Sequence, residues 1–422
     1  MKDARVLDNA PWLRSGPAAR VLELLNGDGV EARVVGGAVR NALLGIRTGD
    51  IDIATTALPD EVIRRAKVAG VKSVPTGIEH GTVTLVVNAQ PFEVTTLRED
   101  VETFGRKAKV VFGRDWMRDA ERRDFTINGL SVDADGVVHD YVGGLEDIAA
   151  KRVRFIGDPD RRIAEDYLRI LRFFRIHAAY GAGEPDRAGY LACIGARAGL
   201  ASLSAERMRM EMLKLMLAGG AVGAVKAMAD GGLLQEILGG IAYIGPFDAM
   251  ISVERVLGME PNAIRRLGAL AVAVTEDAKR LAGRLRLTNN EAKVLDSMGH
   301  RWWRLAGMDE ARARRRLYRL GTERYRDRLM LAWARAGVDA NDAHGQGYWR
   351  ELASLPERWS APKFPLKAAD FITRGIAEGP ALGHVIALAE DAWLAAGFPV
   401  DEPSLTAIAD QTVTRFNSDH RL

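Results

Sequence analysis

Val34-Val35-Gly36-Gly37-Ala38-Val39-Arg40-Asn41-Ala42-Leu43-Leu44-Gly45 runs a β-branched pattern into two glycines and out into a helical pattern. Gly49-Asp50-Ile51-Asp52-Ile53 follows. Gly36 and Gly37 let the backbone approach a bound group closely, and the exposed N–H groups at the helix start favour an anion. Arg40 falls in the first turn beside them. Any strand–turn–helix joint can carry the same glycines, so the pair alone names no function. On a strand, residues i and i+2 share a face, which predicts Asp50 and Asp52 as paired carboxylates with Ile51 and Ile53 turned inward. Two such acids repel unless a cation lies between them, and all-oxygen ligation suits Mg²⁺. Such an ion orients nucleotide phosphates for in-line phosphoryl transfer.

Outward from this stretch, short strand patterns recur at Ala32–Val35, Ile51–Ile53, Thr82–Val87, Phe92–Thr96, Val137–His139 and Val153–Ile156, with helical patterns such as Asp60–Val68 between them. They predict a small α+β domain with a mixed sheet. Beyond Gly157-Asp158-Pro159 the apolar spacing becomes three to four residues, which predicts an all-helical remainder. The division expected is 1–155, 156–235, 236–360 and 361–422, with joints near Gly181–Asp186, Gly239–Pro246 and Asn341–Gly347.

The chain has 422 residues, too many for one compact core. Hydrophobic residues make up 47% and charged residues 27%, which excludes a mainly disordered chain. No apolar run approaches the ~20 residues of a bilayer span, so no membrane role is expected. The first residues carry no apolar signal core, and the single cysteine, Cys193, excludes an intramolecular disulfide and a cysteine-rich zinc site. A reducing, cytoplasmic setting is the expectation.

Further candidates flank the acidic pair. Glu93, in Phe92-Glu93-Val94, can supply a third carboxylate from a neighbouring strand or simply face water. In Arg122-Arg123-Asp124-Phe125-Thr126-Ile127-Asn128-Gly129, Asp124 is expected to cap a short helix. Arg123 at its entrance can bind a triphosphate or pair with a metal-site carboxylate. In Glu165-Asp166-Tyr167-Leu168-Arg169, Asp166 and Arg169 are expected three apart on one helix face. That spacing suits an intrahelical ion pair, and it also suits base reading. Asp only accepts and Arg only donates. Cytosine and adenine each offer an amino donor beside a ring-nitrogen acceptor, whereas uracil and guanine offer the reverse and would leave both groups unpaired. Arg172 continues the row toward the site, and Arg175 is expected to meet phosphate or an acid.

Taken together, Gly-Gly-x-x-Arg, Asp50/Asp52, Arg123-Asp124-Phe125-Thr126-Ile127-Asn128, Asp140-Tyr141-Val142-Gly143-Gly144 and Glu165-Asp166-x-x-Arg169 resemble the class II tRNA nucleotidyltransferases, the CCA-adding enzymes of the polymerase-β superfamily. The resemblance covers residues 30 to 215 and includes Ser204 through Glu211, which is similar to the family's fifth motif. It implies a seahorse-shaped nucleotidyltransferase head, neck, body and tail, with CTP, ATP and tRNA as partners and Mg²⁺ on Asp50 and Asp52. It assigns the triphosphate to Gly36, Gly37, Arg40 and Arg123, and base reading to Asp166 and Arg169 assisted by Arg172 and Arg175. Glu93 joins the catalytic acids as an expectation. Two departures stand out. Asn41 replaces the usual Asp, which removes a salt bridge to a neighbouring basic group. Gly129 replaces the usual Ala and is expected to be neutral.

The rival readings are a bacterial poly(A) polymerase, which shares the head motifs, and a catalytically silent tRNA-binding protein. Thr103 through Phe112, then Asp115-Trp116 and Asp119-Ala120-Glu121, resembles the flexible loop region of CCA-adding enzymes thought to help switch from C to A. The end, Asn417-Ser418-Asp419-His420-Arg421-Leu422, lacks the basic tail expected of many poly(A) polymerases. A silent protein predicts loss of Asp50 or Asp52, and both are present. The seven histidines are scattered, so a phosphohydrolase HD domain is not expected. Between Arg301 and Arg328 stand ten arginines against four acids, with Trp302, Trp303, Tyr318 and Tyr325 interleaved. Such a stretch suits an RNA phosphate backbone, with base stacking as a secondary use. Oligomeric state is not legible in any of these features.

Overall fold

The computed structural model describes residues 6–7, 10–104, 107–337 and 343–419, and of 99–110, 343 and 344 the side chains lie outside that description. The chain forms two compact units, Met1–Ile244 with Gly283–Leu287, and Gly245–Ala282 with Thr288–Leu422.

The first unit opens on a seven-stranded mixed sheet. Its strands are β1 (Ala32–Val35), β2 (Asp52–Thr55), β3 (Lys72–Gly77), β4 (Thr82–Val87) and β5 (Gln90–Thr96), with β8 (Ser131–Val132) and β9 (Val138–His139) completing it. The strand order is β3-β4-β5-β2-β1-β8-β9. Only β2 and β5 pair in parallel, and the other neighbours are antiparallel. Strand β1 is buried along its whole length, β4 and β5 alternate with one face inward, and Ile53, Val83, Leu85, Phe92 and Val94 fill the core. The expected α+β head followed by helices is the observed fold.

Four local differences have physical causes. Strand β2 starts at Asp52, so Asp50 stands in the connection just before it, although the alternation of exposed acids and buried isoleucines holds across 50–53. Val153–Ile156 forms no strand; only Phe155 bridges to Phe125, and its ring packs at 4.9 Å on that of Phe125. That β-branched run is therefore core filling. Strand β3 escapes sequence reading because Lys-Ser-Val-Pro-Thr-Gly has no alternation and carries a proline, which an edge strand tolerates. The expected Thr103–Phe112 loop belongs to a two-stranded hairpin, β6 (Arg98–Phe104) with β7 (Lys107–Phe112). Its Gly105 and Arg106, and the side chains of 99–110, lie outside the described residues.

Helices follow. Pro159–Glu165 ends at Asp166, whose backbone is extended (φ −158°, ψ 108°), and Leu168–Tyr180 starts after it. Asp166 is therefore not on a helix with Arg169, as the i, i+3 reading expected. It occupies the break between two helices, and its carboxylate accepts from the Leu168 N–H at 3.1 Å.

The second unit is helical, with no strand among the described residues. Buried Glu254 accepts from Arg265 at 3.0 Å and Arg266 at 2.7 Å. A separate apolar cluster gathers Phe371, Val385, Trp393 and Phe416, with Tyr318 packed on it. No helix among the described residues is long and apolar enough to cross a membrane.

Candidate active site

Gly36 has φ +73°, a region that favours glycine, and a Cβ there would stand 3.2 Å from Nη1 of Arg123. The turn from β1 into helix Gly37–Leu43 thus brings its backbone against an arginine. The Gly36 N–H donates to the Leu130 carbonyl at 3.0 Å, which ties the turn to β8. The turn forms part of a cleft of about 620 Å³. Seven basic side chains line it: Arg40, Arg123, Arg169, Arg172, Arg175, Arg207 and Lys214. Asp52, Asp124 and Asp166 are its acids, and Gly36, Gly37 and Asn128 complete its polar wall. The excess of positive charge suits a polyanion, and the size suits a nucleotide.

The acids divide into two kinds. Asp52 is exposed on β2, and the parallel β2–β5 register (Ile53 beside Val94) puts Glu93 next to it. Partial burial pushes the Asp52 carboxyl up; Glu93 and Asp50 add to this, and Arg123 opposes them. Asp50 and Glu93 lie outside the cleft lining. Among the described residues no group of three or more His, Cys, Asp or Glu converges as a metal cage. What is present is a hard-oxygen set under mutual repulsion. That fits a divalent ion held by one or two carboxylates and completed by substrate phosphates.

Asp124 is the opposite case. Burial pushes its carboxyl up, but Arg172, the Asn128 side chain and the Phe125 N–H together hold it low. It caps no helix with its side chain. It accepts from Arg172 Nε at 2.7 Å, Asn128 Nδ2 at 3.1 Å and the Phe125 N–H at 2.9 Å. Asn128 passes the chain of bonds on to Arg40. Asp119, also buried, pairs with Arg122 and Arg123, the latter at 3.1 Å.

The base-reading candidates are engaged with other residues, not with each other. Arg207 donates to both Asp166 oxygens, at 3.1 and 2.6 Å. Arg169 donates to Glu165 and, at 2.6 Å, to the Arg162 carbonyl. Arg175 meets buried Glu211, one of the two partners its position on the helix suggested. Arg207, Lys214, Asp124 and Asn128 enter the cleft without having been singled out for it; Arg207 lies in the Ser204–Glu211 motif, which was the available signal. The Gly129 expectation changes as well. A Cβ there would stand 2.6 Å from Cγ2 of Val142, so alanine is not neutral in this chain.

Comparison with known proteins adds to this geometry. Residues 32–154 match the poly A polymerase head domain, and 192–244 match a probable RNA and SrmB-binding site of polymerase A. The chain is 33% identical over 406 residues to the Danio rerio mitochondrial CCA tRNA nucleotidyltransferase 1, spanning 92% of this chain and 89% of the relative. The chain belongs to the CCA tRNA nucleotidyltransferase family. A second member, the CCA-adding enzyme of Limosilactobacillus fermentum, is 31% identical, with 88% of this chain and 90% of that one matched. The crystal structure of the Bacillus stearothermophilus CCA-adding enzyme in complex with CTP superimposes with a TM-score of 0.71 at 26% identity, over 95% of this chain and 98% of that one. The present family member is a nucleotidyltransferase.

Its second unit sorts nine of the ten arginines of 301–328. Arg312, Arg314, Arg319 and Arg326 are paired with acids. Arg304, Arg312, Arg315 and Arg316 line one groove with Arg319. Arg324 and Arg328 line another with Lys279 and Lys293. The interleaved aromatics are mostly core: Tyr325 is fully buried, Tyr318 packs on Trp393, and Trp302 donates to the Ala273 carbonyl at 2.8 Å. Only Trp303, 48% exposed, is left for stacking.

Proposed function

We propose that one copy of this chain adds C, C and then A to the 3′ end of tRNA from CTP and ATP, without a nucleic-acid template. The observation that carries this is one cleft combining a glycine turn, seven basic side chains, Asp52 and the pair Asp166 and Arg169, in a member of the CCA-adding family. The 3′-hydroxyl oxygen attacks the α-phosphorus, the bond to the β-bridging oxygen breaks, and pyrophosphate leaves. Gly36 and Gly37 offer backbone to the triphosphate, and Arg40 and Arg123 offer charge. Asp166 accepts from the base amino group while Arg207 holds its carboxylate, and Arg169 donates to the ring nitrogen once it turns from Glu165. Arg172 and Arg175 support that wall through Asp124 and Glu211.

Asp50 and Asp52, with Glu93 beside Asp52, are the residues we assign to a divalent ion, and Mg²⁺ is the ion we propose. When bound, it neutralises phosphate charge and lowers the barrier to attack by the hydroxyl. We further propose the head, neck, body and tail division at 155, 235 and 360, tRNA phosphates along Arg304, Arg315 and Arg316, and a cytoplasmic location.

The test is extension of a tRNA lacking its CCA end, with Mg²⁺ and each nucleoside triphosphate alone, then CTP with ATP, read as product lengths. Two additions with CTP and a third once ATP is present is the expected result. Long A tails on any RNA would make the protein a poly(A) polymerase, and C addition without A would assign the last step to a second enzyme.

A further inference from the structure

Arg40 is a buried cation at the cleft, 6% exposed. Its partners are all neutral. Asn41 Oδ1 accepts from Nε at 3.2 Å and Nη2 at 2.9 Å, Asn128 Oδ1 accepts from Nη1, and the Tyr180 hydroxyl accepts from Nη2 at 2.7 Å. The Tyr180 ring also lies against the guanidinium, 3.7 Å from Cζ to the ring centroid. Among the described residues Arg40 makes no ion pair. Asp124, the carboxylate that acts on it from a distance, gives its oxygens to Arg172, Asn128 and the Phe125 N–H. Burial accordingly weakens the hold of Arg40 on its proton. A desolvated charge whose bonded partners are all dipoles is costly until an anion arrives, and it attracts that anion in proportion. Of the five N–H donors, four are used, which leaves one on Nη1 for a ligand.

Tyr180 closes the helix Leu168–Tyr180, whose first turn carries Arg169. Arg172, Ile176 and Tyr180 follow at i, i+4 and i+8 and share a face. That face meets Asp124, through Arg172, and Arg40, through Tyr180. One rigid element therefore carries a candidate base reader and the brace of a candidate phosphate holder. Asn41 gives the arrangement its meaning. An acid at 41, usual in the family, would brace Arg40 and neutralise it together. In this chain the brace is neutral.

We propose that Tyr180 is a positioning residue for the triphosphate: its ring and hydroxyl hold the Arg40 guanidinium at the cleft while leaving its charge for the phosphates. This rests on the reading that the cleft binds CTP and ATP. Because the phosphates are common to both nucleotides, the effect is independent of the base.

The test uses the full chain, a tRNA lacking CCA, and steady-state kinetics with CTP and with ATP. Tyr180→Leu is expected to raise KM for both nucleotides by about tenfold, since stacking and a charge-assisted hydrogen bond are lost together. Its kcat stays within about threefold, and rejection of UTP and GTP is unchanged. Tyr180→Phe keeps the ring and is expected to raise both KM values about threefold. Adding Asn41→Asp to Tyr180→Leu restores a brace and is expected to recover most of the loss. KM values equal to the unmodified enzyme overturn the proposal. So does a rise for one nucleotide only, a loss confined to kcat, or a double variant no better than Tyr180→Leu. If Tyr180→Leu does not fold, an unchanged KM in Tyr180→Phe overturns it. Should the unmodified enzyme fail to extend the RNA, the functional reading falls first, and calorimetric titration of CTP into the same variants decides the role of Tyr180.

Discussion

Arg207 grips the Asp166 carboxylate with two hydrogen bonds, 3.1 and 2.6 Å, across 41 residues of sequence. A carboxylate held this way is oriented and can only accept. Both properties are what a reader of cytosine and adenine amino groups needs.

Arg207→Met therefore releases the Asp166 carboxylate. We expect KM for CTP and ATP to rise ten- to about a hundredfold, the worth of a two-pronged charged pair, and UTP to enter more readily relative to CTP. Single-nucleotide extension assays measure both. A lowered melting temperature with discrimination intact would make Arg207 a structural brace alone.

Repulsion at Asp52 predicts a thermal signature that needs no substrate. Its carboxyl is raised by burial and by Glu93 and Asp50. A raised acid stabilises the fold below its ordinary range and loses that contribution as pH climbs through the raised value. At neutral pH the ionised cluster is thus a source of strain. MgCl₂ should raise the melting temperature of the unmodified protein over EDTA, and Asp52→Asn should abolish most of the increment while reducing nucleotide transfer by about three orders of magnitude. An equal Mg²⁺ response in both proteins would remove Asp52 from the metal site.

Asp124 and Asp119 behave in the opposite sense. Burial raises each, but Arg172 on one and Arg123 with Arg122 on the other hold them low. Their stabilisation is present above the ordinary aspartate range and lost as pH falls through the lowered values. Asp124→Asn should cost about 1–3 kcal/mol at pH 7, because the half-buried Arg172 loses the carboxylate it donates to. The gap between variant and unmodified protein should narrow below about pH 4 in urea melts. A gap independent of pH would mean that shape, not charge, makes the contact.

The arginines of the second unit should separate by pairing. Replacing Arg304, Arg315 and Arg316 together by alanine is expected to weaken tRNA binding by at least about tenfold at moderate salt and to flatten its salt dependence. Replacing Arg314 and Arg326, which face Glu310 and Glu357, should change either quantity by less than about twofold. Filter binding across a salt series distinguishes the two, and equal effects would refute the assignment.

Gly129→Ala tests the packing behind the cleft. With Val142 Cγ2 only 2.6 Å from the new methyl, we expect a loss of about 1–3 kcal/mol in a chemical melt.

Much of the site was legible because its signals are local. The run from Val34 to Ile53 encodes strand, glycine turn, helix and an alternating acid pair through nearest-neighbour geometry alone. The order of the motifs then implied a nucleotidyltransferase head and a helical remainder. Lys72–Gly77 was lost to the same logic, since an edge strand buries nothing with period two. Pairing is a different matter. Arg207 reaches Asp166 over 41 residues, Arg172 reaches Asp124 over 48, and Tyr180 reaches Arg40 over 140. Charge and hydrogen bonding depend on distance in space, and periodicity carries no information about it. The amino-acid sequence by itself thus determined most of the chemical groups gathered at the cleft. Tertiary structure decided which of them neutralise one another and which, like Arg40, keep their charge.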